Sequence, residues 1–325
     1  MTHSLVPMAD YLRVIGRGKD GARSLNRTQA QDLMTRLLGG RLSDLERGGF
    51  ALAMRIKGES PEELLGFTAA VQDSLPAVSA QIAGLGAGAV VVLPSYNGAR
   101  KLPNLTPLLA LLLDQEGVPV LVHGITDDAH RTTSAQIFDA LGMPAAHTAA
   151  DVADRWAQRL PAFMPLRTLH PALADLLALR ATLGVRNSGH TLAKLLLPVP
   201  GALRVVNHTH PEYAGSLAMF LAQSRATALL MRGTEGEPVA DARRLPALKC
   251  YLNGNLDTTL TGEAQSGPLA SLPDLPTAID AGATACAIQA MLSGALPLPK
   301  PIARQVQCLL ALRGYLTRPP QEAHP

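Results

Sequence analysis

Ala89-Val90-Val91-Val92-Leu93-Pro94-Ser95-Tyr96-Asn97-Gly98-Ala99-Arg100-Lys101 reads as a buried strand that opens into a polar, cationic loop. The unbroken apolar run over residues 89–93 suits a strand covered on both faces, as strands of parallel sheets are. Beyond the loop, residues near 105–114 read as a helix. Strand, loop and helix in that order form the unit from which parallel sheets are wound. The same type of apolar run recurs at Val118-Pro119-Val120-Leu121-Val122, from Leu203 to Val206 and from Ala226 to Met231. Helical stretches near 134–141 and 211–224 separate these runs. The pattern predicts an α/β domain with a mostly parallel sheet.

Upstream, the first 75 residues read as short helices with legible starts. Asn26 with Gln29, Ser43 with Glu46, and Ser60-Pro61-Glu62-Glu63 are N-terminal capping patterns, the last with proline at the favoured first helical position. Ala30, Leu33, Met34, Leu37 and Leu38 make one apolar helix face that Gly39-Gly40 terminates. The short connections predict a small helical bundle. Ala77 to Gly88, rich in Ala and Gly, reads as a linker, Pro171 to Leu197 as helical, and 274–313 as a helical tail.

Composition narrows the class. The chain has 325 residues, of which 47% are hydrophobic and 17% charged, which excludes a mainly disordered protein. Aromatics are 3% with a single Trp, so extended aromatic stacking surfaces for single strands are not expected. No apolar run approaches the ~20 residues of a membrane helix. Arg13, Arg17, Lys19 and Arg23 interrupt any apolar signal segment. Cys250, Cys286 and Cys308 are isolated, which suggests neither a disulfide framework nor a zinc site; a reduced cytoplasmic protein is expected. Net charge is +3, but residues 1–58 hold ten Lys or Arg against five Asp or Glu. Such asymmetry suits either an anionic partner or a solvated helical surface.

The motifs point to phosphate. In an open parallel sheet, ligands bind at the carboxyl ends of strands. The loop Pro94 to Lys101 offers backbone N–H groups, the Ser95 hydroxyl, Asn97, Gly98 and the cations Arg100 and Lys101 at such an end, ahead of a helix N-terminus that favours anions. His123-Gly124 ends the next strand, followed by Arg131-Thr132-Thr133-Ser134 before another helix. Gly184-Val185-Arg186-Asn187-Ser188-Gly189-His190 with Lys194 forms a third polar cluster. Gly84-Leu85-Gly86-Ala87-Gly88-Ala89 has dinucleotide-fingerprint spacing but precedes a strand, and reads as a flexible linker. His208-Thr209-His210 with Glu212 reads as a strand-to-helix loop before a metal site. Glu235 and Glu237 are weak magnesium candidates in what reads first as a polar turn. No metal is expected, and no catalytic residue is assigned.

This order of elements resembles anthranilate phosphoribosyltransferase and its relatives, the glycosyltransferase family 3 enzymes with a nucleoside-phosphorylase-like fold. Arg55-Ile56-Lys57-Gly58-Glu59-Ser60-Pro61-Glu62-Glu63, His123-Gly124 with Thr132 to Gly142, and Leu183-Gly184-Val185-Arg186 carry the likeness. It implies a small N-terminal helical bundle domain over 1–86 plus about 170–198, and a larger α/β domain over about 87–169 plus 199–325. Where those enzymes place a G-T-G-G-D-G loop around phosphoribosyl pyrophosphate, this chain has Pro94-Ser95-Tyr96-Asn97-Gly98. Their lysine and asparagine beside His-Gly become Val122 and Ile125, and Thr234-Glu235-Gly236-Glu237 stands for their acidic metal-binding pair. Loss of the cradle, the lysine and the metal carboxylates would cripple stabilisation of a departing pyrophosphate.

The replacements resemble a bacterial branch, the YbiB-type proteins. Ile15-Gly16-Arg17-Gly18-Lys19, Pro94 to Lys101 with Asn104-Leu105-Thr106-Pro107-Leu108-Leu109, Arg186-Asn187-Ser188 with His190 to Lys194, His210-Pro211-Glu212-Tyr213 and Gly233-Thr234-Glu235-Gly236-Glu237 carry that likeness. It implies a cytoplasmic homodimer that binds DNA and RNA with little sequence preference, without cofactor, membrane or the parent activity. The basic groove would be lined by Arg17, Lys19, Arg100, Lys101, Arg131, Arg186 and Lys194, with Ser95, Asn97, Gly98, His123, Gly124, Thr132, Thr133 and Asn187 as further phosphate contacts. The alternative is a phosphoribosyltransferase of altered donor or acceptor, using Mg2+ with phosphoribosyl pyrophosphate.

Overall fold

The computed structural model describes residues 6–86, 88–269 and 271–317, with Lys19 placed by its backbone alone. In chain order the elements are α1 (Met8–Ile15), α2 (Gly18–Gly21), α3 (Arg27–Leu38), α4 (Asp44–Lys57), α5 (Pro61–Asp73), α6 (Ala77–Ala83), β1 (Val91–Ser95), α7 (Thr106–Gln115), β2 (Val120–Gly124), α8 (Ser134–Ala140) and α9 (Ala149–Ala157). They continue with β3 (Ala162–Pro165), α10 (Leu166–Leu169), α11 (Pro171–Leu183), α12 (Ser188–Leu195), β4 (Leu203–His208), α13 (Tyr213–Gln223), β5 (Ala228–Arg232), β6 (Leu248–Leu252), β7 (Asn255–Leu256), α14 (Ala281–Leu292) and α15 (Lys300–Leu316). The chain divides into two compact units, one up to Pro76 with Leu166–Leu196, the other Ala77–Pro165 with the chain from Leu197 on.

The first unit is helical. Asn26, Ser43 and Ser60 each cap their helix and donate their own backbone N–H in return to the side chains of Gln29, Glu46 and Glu63, so the three capping boxes form as the sequence pattern requires. The α3 face of Ala30, Leu33, Met34, Leu37 and Leu38 is buried, and α3 packs closely on α5. Phe50 and Phe67 meet edge to face with centroids 5.8 Å apart. Glu63, wholly buried, accepts from Leu25 N at 3.0 Å, Ser60 N at 2.8 Å and Lys57 Nζ at 2.6 Å. A carboxylate at that depth persists because each oxygen is bonded.

The second unit holds the sheet. Among the described residues its order is β3-β2-β1-β4-β5-β6-β7. Pairing is parallel from β3 through β5 and antiparallel at β6 and β7. Strand order turns back between β1 and β4, which makes their carboxyl ends the topological switch point. β1 and β2 are buried along their whole lengths, as a sheet covered on both faces requires. Val91, Leu93, Leu108, Leu109, Val120, Val122, Leu203, Ile288 and Leu309 belong to its core.

The structure differs from the sequence reading in several places. Residues 77–83 form α6 and belong to the α/β unit, packing on α9, where a linker was expected. Ile82 and Ser79 are buried, and that anchoring holds the Ala-rich segment helical. The 171–197 stretch is two helices, because Gly184 adopts the left-handed conformation at the C-cap of α11 and Asn187 starts α12. β3, β6 and β7 were not anticipated; β3 and β7 have only four and two residues, and Lys249 interrupts the apolar run of β6.

Candidate functional site

The loop from β1 to α7 leaves the sheet beside the switch point, and its backbone donors from residue 97 to residue 102 are all used. Asn97 N and Gly98 N each donate to Glu237 Oε1 at 2.8 Å. Ala99 N bonds Thr132 O at 3.0 Å. Arg100 N, Lys101 N and Leu102 N donate to the Glu235 carboxylate at 3.2, 2.8 and 2.9 Å. Thus every backbone N–H from residue 97 to residue 102 is bonded, five of the six to two carboxylates. Ser95 Oγ donates to Glu237 Oε2, and Thr106 Oγ1, at the first residue of α7, donates to the same oxygen at 3.3 Å. Glu237 is 1% exposed, and four neutral donors beside a helix N-terminus satisfy its carboxylate oxygens.

Both carboxylates come from one tight turn after β5. Glu237 N donates back to Thr234 O at 2.9 Å, and Glu235 and Gly236 both have positive φ, at 49° and 90°. Two positive φ values at the central positions are those of a type I′ turn. Asn97 Nδ2 donates to Glu235 O at 3.1 Å, and Asn207 Nδ2, on β4, donates to Gly236 O at 2.6 Å. The turn is therefore fastened to the ends of both β1 and β4, above the switch point.

The other residues expected at this edge have structural partners. His123 is wholly buried at the end of β2, with Nδ1 on the Tyr96 hydroxyl; burial lowers its pKa to about 3, so it is neutral. Tyr96 is pushed well up by burial and then by the Glu237 charge. Gly124 lies so close to Ser95 O that an added Cβ would stand 1.7 Å from it, which makes it a strand-packing residue. Arg131 donates to Gly98 O at 3.1 Å and reaches Glu235 at 4.0 Å. Thr132 bridges Ala99 through its backbone, and Thr133 caps α8 in a box with Gln136. Arg100 and Lys101 are exposed, and their side chains show neither hydrogen bond nor ion pair among the described residues. Glu235 and Glu237, read from sequence as weak magnesium candidates, are anchors of this loop. Among the described residues no group of three or more His, Cys, Asp or Glu is placed to hold a metal.

In the helical unit, Arg17 is exposed at the start of α2, and Lys19 follows it in that helix. Arg186 is half-buried beside the α12 cap, and Lys194 lies on α12. Asn187 is a cap rather than a free ligand: its Oδ1 accepts from Gly189 N at 2.8 Å and its Nδ2 donates to Leu176 O at 2.8 Å. Ser188 Oγ donates to Glu59 at 2.6 Å, and burial raises the Glu59 carboxyl above its usual range.

Sequence reading identified the loop's donors but not their acceptors. The available signal was the pair of carboxylates two residues apart with Gly236 between them, after a strand of the same sheet. No helix among the described residues is long and apolar enough to cross a membrane.

The helical domain followed by a larger, mostly parallel α/β domain is the anthranilate phosphoribosyltransferase fold. The helical bundle domain of the Glycosyl transferase family matches residues 9–75. The structure of anthranilate phosphoribosyltransferase from Thermus thermophilus superimposes with a TM-score of 0.64 at 19% identity, covering 96% of this chain and 97% of that one. The Saccharomyces cerevisiae enzyme in complex with PRPP and Mg gives 0.65 at 14% identity, over 96% and 90%. In sequence, the anthranilate phosphoribosyltransferase of Methanopyrus kandleri is 31% identical over 68% of this chain and 62% of its own length. The protein YbiB of Escherichia coli (strain K12) is 39% identical over 310 residues, 94% of this chain and 95% of YbiB. The chain belongs to the YbiB family.

Proposed function

We propose that the protein binds DNA and RNA with little sequence preference, as a homodimer, on a phosphoribosyltransferase scaffold that does not carry out anthranilate phosphoribosyl transfer. The observation that carries the reading is the β1–α7 loop, whose backbone donors from 97 to 102 are bonded internally while Arg100 and Lys101 stand exposed and unpaired among the described residues. A loop in that state offers side-chain cations to phosphates from outside, and no backbone cradle. Arg17 and Lys19, with Arg186 and Lys194, supply cations on the helical unit. Contacts of this kind neutralise phosphates irrespective of base identity. A second copy raises avidity without new contact types.

The residues do not fit a magnesium diphosphate at this loop. The N–H groups that would wrap it are taken, and both nearby carboxylates are saturated by donors. The second reading, a phosphoribosyltransferase with altered donor or acceptor, draws on the fold and on the 31% identical enzyme. It requires thermal stabilisation by phosphoribosyl pyrophosphate with magnesium.

Fluorescence anisotropy with a labelled oligonucleotide tests the proposal through the double variant R100A/K101A. Affinity falls, and the slope of log K against log salt becomes shallower by about 2 for each protomer engaged, one phosphate contact for each cation. The melting temperature stays that of wild type. Unchanged affinity and slope would remove this loop from the interface.

A further inference from the structure

We propose that Glu237 is the resident anion of the β1–α7 loop: the chain's own carboxylate fills a nest suited to a phosphate-class ligand and keeps external phosphate and diphosphate out. The nest consists of two consecutive backbone N–H groups, from Asn97 and Gly98, the hydroxyls of Ser95 and Thr106, and the N-terminus of α7. Consecutive N–H groups beside a helix N-terminus are a general anion-binding arrangement. Among the described residues no Lys or Arg forms an ion pair with Glu237. Its charge is held by the donors and dipole that would otherwise hold a phosphate oxygen.

The position strengthens the argument. The nest lies at the switch point between β1 and β4, where ligands of open α/β sheets bind. There the turn 234–237 acts as a plug, fastened by Asn97 on one side and Asn207 on the other. The plug does not satisfy everything beneath it. Asn207, 2% exposed, keeps Oδ1 without a hydrogen-bond partner, although buried acceptors are ordinarily bonded. The inference stands apart from nucleic-acid binding, which uses the exposed Arg100 and Lys101 side chains.

Two experiments test it. In wild-type protein the amide signals of Asn97 and Gly98 stay in place as inorganic diphosphate is titrated at constant ionic strength; a saturable shift of both would overturn the proposal. In E237A the nest is left with unpaired donors and room, so the variant melts below wild type. Inorganic diphosphate or formate restores several °C, whereas chloride at equal ionic strength does not. Rescue persists when Arg100 and Lys101 are also alanine, which separates the nest from the nucleic-acid surface. E237Q keeps an acceptor and gains less. A folded E237A that no anion stabilises would contradict the proposal. If E237A does not fold alone, it is refolded with and without diphosphate: recovery supports the nest, and failure with every anion counts against it.

Discussion

Gly236 and Glu235 direct the loop's donors, and each does so from the left-handed region. Glu235, a non-glycine residue at φ 49°, carries strain of about 1 kcal/mol. Its carboxylate offsets this by accepting three backbone N–H groups. Gly236, at φ 90°, has no room: an added Cβ would stand 1.5 Å from Asn97 Nδ2. Gly142 is also left-handed, at φ 77°, but nothing lies within 4 Å of its added Cβ. Urea denaturation is expected to show G236A losing about 3 kcal/mol or more and G142A about 1 kcal/mol. Equal losses would mean that the turn does not pack against Asn97 as described. At this scale the sequence disclosed residue types but not their pairing. Ser95, Asn97 and Gly98 read as donors to phosphate clustered after a strand, and in the structure they donate to Glu237. Their acceptor lies about 140 positions away, beyond the reach of local periodicity or capping rules. Thr133 and Asn187 show the converse, since a polar residue ahead of a helix serves the helix first.

At the scale of elements, starts were more legible than interiors. The capping boxes at Asn26, Ser43 and Ser60 are local patterns, and each formed. β1, β2 and β5 were visible as continuous apolar runs buried in the sheet, and β4 was visible although Arg204 interrupts it. α6 was not, because Gly84, Gly86 and Gly88 beyond it made the stretch read as a linker, whereas residues 77–83 themselves hold no glycine and pack on α9. The Ser60 box also shows how a local signal becomes a tertiary one. Glu63 closes that box, bonds Leu25 N at the entry to α3 and pairs with Lys57, whose side chain is 9% exposed. Replacing Lys57 by Met leaves Glu63 buried without its cation. The expected loss is about 3 kcal/mol, at the low end for a broken buried pair because backbone donors remain. A thermal or urea melt that matches wild type would show that the backbone donors alone suffice.

At the scale of the whole molecule, a net charge of +3 is low for the polyanion binding proposed. Local exposure therefore matters more than total charge. Arg131, one of the cations expected in the groove, is held by Gly98 O and Glu235, whereas Arg100 and Lys101 extend from a backbone that Glu235 pins. The fold resembles that of anthranilate phosphoribosyltransferases, whereas the donors of this β1–α7 loop are taken by the chain's own carboxylates. Shared fold with separate chemistry is the general condition of such scaffolds. The most direct test is an anisotropy titration of wild-type protein with two unrelated single-stranded sequences over several salt concentrations. Each is repeated with phosphoribosyl pyrophosphate and magnesium at matched ionic strength. Similar binding of both sequences, a steep fall with salt and no displacement by the small ligand are expected. Absence of binding at low salt, or displacement by phosphoribosyl pyrophosphate at matched ionic strength, would contradict the proposal.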